Sequence, residues 1–357
     1  MASLSVGLVG APNCGKSSVF NALTGGGSAV APHPFTTRES VQGLAEVRDP
    51  RLEALARVSS SAKIIPTTIE VVDIAGLVSG SARGEGLGNA FLGRLRTASA
   101  TLHVVRCFRD DGVATAGGPV DPVADAETVE LELVLADLAA VERRLERVRK
   151  EAKGGAAAVI AERDHLEALQ EWLEQGHLAR TLEREGGAQV DLLTAAPTLY
   201  LANVDESGNP DDVTALERFA AERGSECLAI NAKLEAELAE LDPQEAAAFL
   251  EDLGIERPAL ERISLAAQRL LDTIPFFTTG PKETRAWTIR RGAKAPQAAG
   301  AIHSDLERGF IRAEVIEWER LVEAGSEAEA KRRGWLRVEG RDYVVQDGDV
   351  LNIRFNV

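Results

Sequence analysis

Short apolar runs alternate with helical patterns through the first two hundred positions of this 357-residue chain. Residues 4–9 (LSVGLV) read as a buried strand. Residues 17–23 begin a helix that ends at Gly25, Gly26 and Gly27, where glycine takes the left-handed conformation that stops helices. Further apolar runs at 69–74, 102–107 and 198–202, with helical patterns between them, predict a mostly parallel, doubly wound α/β sheet. Between 125 and 187 the texture changes to long helical stretches broken at Gly154 and Gly155. There Leu131, Leu135, Leu138, Val141, Leu145 and Val148 recur at three- and four-residue steps, an apolar stripe on a charged rod that predicts an antiparallel helical hairpin. The last 80 or so residues read as a separate α+β unit with short strands at 286–289, 310–315, 343–345 and 350–355. The organisation expected is a nucleotide-binding domain over 1–124 and 188–273, an inserted hairpin over 125–187 and a terminal domain over 274–357.

The chemistry sits where strands end. Gly10, Gly15, Lys16 and Ser17 in GAPNCGKS match GxxxxGK[ST] directly after the first strand. In that loop backbone N–H groups curl around phosphates, the lysine reaches the outer ones and the hydroxyl binds magnesium. The sequence DIAG, Asp73 to Gly76, follows the run IEVV. Its aspartate can hold a magnesium-bound water, and Gly76 lets a backbone N–H approach the terminal phosphate. Between the two lies PFTT, residues 34–37, whose threonines can complete the metal shell. After the 198–202 strand, NVDE (Asn203 to Glu206) takes the place of the guanine reader NKxD, with Val204 at the lysine position and Glu206 at the aspartate position. A backbone carbonyl near Val204 serves adenine, which offers a donor at N6, better than a carboxylate does.

Charge and composition narrow the classes. The net charge of −16 is uneven: from Phe276 onward 14 basic residues face 13 acidic ones, so the preceding part carries −17. Such an acidic surface disfavours DNA, while basic clusters such as Arg290, Arg291 and Lys294, or Lys331, Arg332 and Arg333, leave local RNA contact open. Cys14, Cys107 and Cys227 are too few and scattered for a disulfide framework or zinc site, and no apolar run is of membrane-spanning length, so a cytoplasmic protein without a membrane partner is expected. Cys14, at the head of a helix, reads either as a thiol of lowered pKa or as a small structural residue; His103, within an apolar strand, reads as a core histidine.

The blocks PNCGKS, HPFTTRE, DIAGLVSGSARGEGLGNAF, LANVDE, FFTTGPKETRAWTIRRGAKAPQAAGAIHSDLERGFIRAEV and DGDVLNIRFNV resemble the YchF family, the Obg-like ATPases, across essentially the whole chain. The resemblance implies a P-loop fold that prefers ATP to GTP, an inserted coiled coil, a C-terminal TGS domain of β-grasp type and association with the ribosome. By motif, Asn13, Cys14, Gly15, Lys16, Ser17 and Ser18 would bind phosphates, with Asn203, Val204 and Glu206 at the base. Ser17, Thr37 (or Thr36) and Asp73 would ligate magnesium. Lys16, Gly76 and Leu77 form the catalytic set, Leu77 standing where related GTPases carry a water-orienting glutamine. The family's histidine after the HVVRCF strand is replaced by Thr115, which leaves the hydrolytic helper unassigned. Asn13 is a candidate for holding potassium beside the phosphates. A GTP switch needing a partner for hydrolysis and a non-catalytic scaffold are the alternatives.

Overall fold

The computed structural model describes residues 5–25, 41–47, 49–73, 93, 95–110, 119–183, 190–206, 208–255 and 257–356. The chain divides into two compact units, one of Leu4–Leu44 and Glu70–Ile263, the other of Met1–Ser3, Ala45–Ile69 and Ser264–Val357.

The sheet of the first unit takes the order β2 (Val41–Val47), β4 (Thr67–Asp73), β1 (Ser5–Val9), β5 (Ala100–Arg106), β6 (Thr198–Asn203), β7 (Glu226–Ile230). β1 pairs in parallel with β4 and β5, and β5–β6 and β6–β7 are parallel too. β1, β5 and β6 are buried at every position, as parallel strands covered on both faces must be. The register sets Leu8 beside Asp73 and Arg106 beside Asn203, so the chemistry-bearing ends of β4 and β6 lie at one edge of the sheet with the loop after β1.

A 30-residue helix, Pro122–Glu151, opens the inserted arm, its first turn set by Pro122 and by the Asp121 carboxylate, which accepts from the Ala124 N–H at 3.0 Å. Gly155, at φ +76°, turns the chain into the return helix Ala157–Glu174. Val134, Val141, Leu145 and Val148 pack against Leu166, Leu169 and Leu173, which makes the antiparallel hairpin. The stripe read from sequence is partly displaced: Leu131 and Leu135 are about half exposed at 50% and 47%. The reason is that the root of this helix faces the sheet rather than its hairpin partner. Val129, Leu133 and Ala136 pack with Val9, Val72, Leu95 and Leu193, and Asp137, fully buried, accepts from the N–H groups of Leu193 and Thr194 at 2.9 and 2.8 Å.

The second unit holds a mixed sheet ordered β11 (Arg337–Glu339), β10 (Phe310–Glu317), β12 (Asp349–Phe355), β8 (Thr273–Thr279), β9 (Thr284–Arg290), β3 (Ile64–Ile65). The first and last long strands, β8 and β12, pair in parallel between antiparallel neighbours, which is the β-grasp arrangement. Helix Ala295–Ile302 covers one face, over Ile274, Phe276, Ile289, Phe310, Val315 and Leu351. The expected strand over 343–345 is a single bridge between Lys294 and Val344.

The opposite face is covered from within the segment 45–69, which the sequence reading grouped with the nucleotide-binding domain. Helix Pro50–Ser59, capped by Asp49, places Leu52 and Leu55 among Phe277, Ala286, Ile316, Leu321, Ala330 and Val350. β3 then pairs with β9, and Arg51 joins Asp49 and Asp347 at 2.8 and 2.7 Å. Leu52, Leu55 and Ala56 share one face of that helix; its amphipathic pattern is readable in sequence, but not which core the face meets.

Candidate nucleotide site

The loop after β1 is built by two left-handed residues and two close approaches. Asn13 (φ +62°) and Gly15 (φ +91°) take left-handed conformations, and the Cys14 N–H between them closes the turn onto the Ala11 carbonyl at 3.3 Å. A Cβ on Gly15 would lie 2.1 Å from the Asn203 side-chain nitrogen, and one on Gly10 would lie 2.4 Å from the Val104 carbonyl oxygen, so both positions require glycine. Helix Lys16–Leu23 starts at Gly15 with no side-chain cap, leaving its first N–H groups to the loop.

Lys16 and Asp73, 57 positions apart, meet with Nζ 2.6 Å from Oδ1, and Ser17 Oγ lies 3.4 Å from the other carboxylate oxygen, Oδ2. Lys16 is buried and Asp73 nearly so. Asn203 donates from Nδ2 to the Cys14 carbonyl at 2.9 Å and accepts at Oδ1 from the Ala232 N–H at 3.2 Å. Its carboxamide is thus committed to bracing the phosphate loop. Val204 donates its N–H to the Ile230 carbonyl at 2.8 Å and is half-buried, while Glu206 is exposed.

Cys14 is buried, and burial pushes its thiol up to about 11, so it is a packing residue and not a thiol of lowered pKa. His103 is also buried; desolvation, with the Arg180 guanidinium adding to it, pulls its imidazole down to about 3, and its ring lies 5.2 Å from that of Tyr200. Thr36, Thr37, Gly76, Leu77 and Thr115 lie outside the described residues.

One side chain that no motif marks also borders the loop. Phe108, just past β5, has a ring carbon 3.9 Å from where a Gly15 Cβ would stand, and the Arg106 guanidinium lies 4.6 Å from the centre of the Phe108 ring. Asp205 accepts the Arg109 N–H at 3.0 Å. Among the described residues no cluster of three or more His, Cys, Asp or Glu side chains could hold a metal, and no helix is long and apolar enough to cross a membrane.

Residues 5–137 match a family described as 50S ribosome-binding GTPase, and residues 273–356 match the YchF GTPase C-terminal family, described as a protein of unknown function (DUF933). The Ribosome-binding ATPase YchF of Haemophilus influenzae is 46% identical over 358 residues, 98% of this chain and 99% of the relative. That of Bacillus subtilis is 45% identical over 366 residues, 99% of this chain and all of the relative. The chain belongs to the YchF family. The solved Schizosaccharomyces pombe YchF GTPase superposes with a TM-score of 0.82 at 30% identity, covering 99% of this chain and 98% of that one. A GTP binding protein from Pyrococcus horikoshii, at TM-score 0.57 and 19% identity over 99% of this chain and all of that one, shares the fold. The YchF C-terminal match begins at Thr273, the first residue of β8, and so leaves out Leu52 and Leu55, which complete that domain's core here.

Proposed function

We propose that this YchF-family chain hydrolyses ATP to ADP and phosphate in a magnesium-dependent reaction and that its nucleotide state governs association with the ribosome. The observation that carries the reading is the cluster of Lys16, Ser17 and Asp73 at the mouth of a loop with two left-handed residues. The ribosome enters through the names of the relatives, and the balanced charge from Phe276 onward, against −17 before it, favours that part of the chain for any RNA contact.

The donors near the loop fit magnesium: Ser17 offers a hydroxyl and Asp73 a carboxylate, both hard oxygen ligands, and Thr37 would add a second hydroxyl. Bound there, magnesium supplies positive charge to the phosphate oxygens. The protein does the rest by position: loop N–H groups hold the phosphates and Lys16 reaches the outer ones. With Leu77 in the glutamine position and Thr115 in the histidine position, no side-chain base is assigned to the attacking water, and slow intrinsic turnover is the expected consequence. Potassium held beside Asn13 would supply further charge.

At the base, the Val204 carbonyl, next to Asn203 in NVDE, would be the adenine acceptor. A GTP switch is the second reading, favoured by the word GTPase in the names of the family model and of the fission yeast structure. Competition of ATP and GTP against a fluorescent nucleotide decides between them. ATP winning severalfold is expected, and equal competition sinks the adenine reading. Loss of hydrolysis in Lys16→Ala separates both from a scaffold.

A further inference from the structure

We infer that Asp205 is a positioning residue for the base end of the nucleotide site, acting as a latch that holds the Phe108 loop against the phosphate loop. This rests on the reading that a nucleotide binds at residues 10–18.

Residues 107–110 leave the end of β5 with no strand partner, and each polar backbone group needs another bond. The Cys107 N–H donates to the Asn203 carbonyl at 2.8 Å. Arg106 folds back over its own loop, donating from Nε to the Phe108 carbonyl and from Nη2 to the Asp110 carbonyl, each at 3.2 Å. The Arg109 N–H goes to Asp205 Oδ2 at 3.0 Å, and its guanidinium meets Asp212 at 2.9 Å. The Arg109–Asp212 pair is largely exposed on the arginine side and adds little. An N–H to carboxylate bond is charge-assisted, roughly twice as strong as a neutral one. Asp205 is therefore the one side chain outside the 106–110 segment bonded to that loop's backbone among these contacts.

The latch has a defined neighbourhood. Asp205 lies between Val204 and Glu206 in NVDE, and Asn203 next to them is bonded to Cys14 in the phosphate loop. A Phe108 ring carbon and the Asn203 side chain both lie within 4 Å of where a Gly15 Cβ would stand. Fixing the Arg109 N–H on Asp205 would hold Phe108, the residue before it, beside Gly15 and the NVDE segment where a purine base would enter. The phosphates are held elsewhere, by Lys16 and the loop N–H groups, so the latch acts on the base and not on the chain of phosphates.

The test uses the full chain with two variants and two probes. Asp205→Ala removes the acceptor, and Asp205→Asn keeps an oxygen for the Arg109 N–H. Calorimetry with ATP and with inorganic tripolyphosphate, both with magnesium, separates base from phosphate contacts. Asp205→Ala is expected to weaken ATP about tenfold, the scale of one charge-assisted hydrogen bond. It should leave tripolyphosphate unchanged, narrow the ATP-over-GTP ratio and raise KM more than it lowers kcat, while Asp205→Asn recovers most of the ATP affinity. Unchanged ATP affinity in Asp205→Ala overturns the latch, and so does an equal loss for tripolyphosphate, which would mark general damage to the loop. Wild-type protein that binds neither probe would instead overturn the nucleotide reading itself.

Discussion

Leu55→Ala tests whether the C-terminal β-grasp domain depends on a helix borrowed from the middle of the chain. Leu55 is fully buried, packed with Leu52 against Phe277, Ala286, Ile316, Leu321 and Val350. Truncating a leucine at such a site costs about 2–5 kcal/mol, the transfer of the lost carbons plus the cavity they leave. At about 3 kcal/mol, and roughly 4 °C per kcal/mol for a unit of this size, the melting midpoint should drop by about 12 °C. The assay follows tryptophan fluorescence in a Trp172→Phe background, because three of the four tryptophans, Trp287, Trp318 and Trp335, then report on this unit alone. Trp318 and Trp335 pack on the same cluster as Leu55. If residues 273–356 formed a free-standing module, the midpoint would move by less than about 1 kcal/mol equivalent, within the range of surface substitutions. That result would refute the assignment of helix Pro50–Ser59 to this core. The expected result also means that a chain cut after Phe276 exposes Leu52 and Leu55, so truncation is a poor way to remove the C-terminal domain.

Ser17→Ala should weaken nucleotide binding in magnesium while changing it little in EDTA; an undiminished response to magnesium would remove Ser17 from the metal shell. Replacing sodium by potassium at constant ionic strength should raise the ATP hydrolysis rate severalfold, with Asn13→Ala abolishing the difference, and identical rates in the two salts would leave Asn13 a structural residue. His103, pulled down to about 3 when folded against about 6.5 unfolded, stays neutral in the native state while the unfolded chain takes up a proton. Stability therefore falls as pH drops from 6.5 toward 3, and the unfolding free energy of wild type relative to His103→Gln should shrink by roughly 2 kcal/mol between pH 7.5 and 5. The carboxylates with raised pKa, half-buried Asp125 and buried Asp137 and Asp349, pull the other way but equally in both proteins, so a pH-independent difference would refute the assignment.

The parallel sheet was legible where strands are buried on both faces. Residues of β1, β5 and β6 show as apolar runs because no position along them meets water, and β4 shows through its buried Ile69, Val71 and Val72, although Thr68 is exposed and Glu70 half-buried. β2 was missed because VQGLAEV carries a glycine, and Gly43 is there for a reason invisible in sequence: a Cβ would stand 2.3 Å from the Thr24 methyl. Lys16, Ser17 and Asp73 were legible because their spacing is imposed by a strand, a loop and the head of a helix. Phe108 was not, since a ring beside Gly15 leaves neither a period nor a motif, and Asp205, although inside NVDE, is not marked by it because its partner is a single backbone N–H, that of Arg109. The exposure of Leu131 and Leu135 has the same origin, for a helix that changes partner along its length changes its buried face as well.

The Lys16–Asp73 pair would tie the proposed magnesium requirement to electrostatics rather than to ligand count. At 2.6 Å and with little solvent on either partner, the carboxylate compensates the ammonium, and removing one member of such a pair costs about 3–5 kcal/mol. Phosphates arriving without a cation take Lys16 for themselves and leave Asp73 facing several more negative oxygens. A divalent cation arriving alone meets a carboxylate already held by Lys16. On the proposed reading each would be favoured only with the other, the cation taking Asp73 as the phosphates take Lys16. The two binding steps are thus coupled through one carboxylate, which is why magnesium dependence should outlast the loss of the Ser17 hydroxyl in part and vanish only when the pair itself is broken.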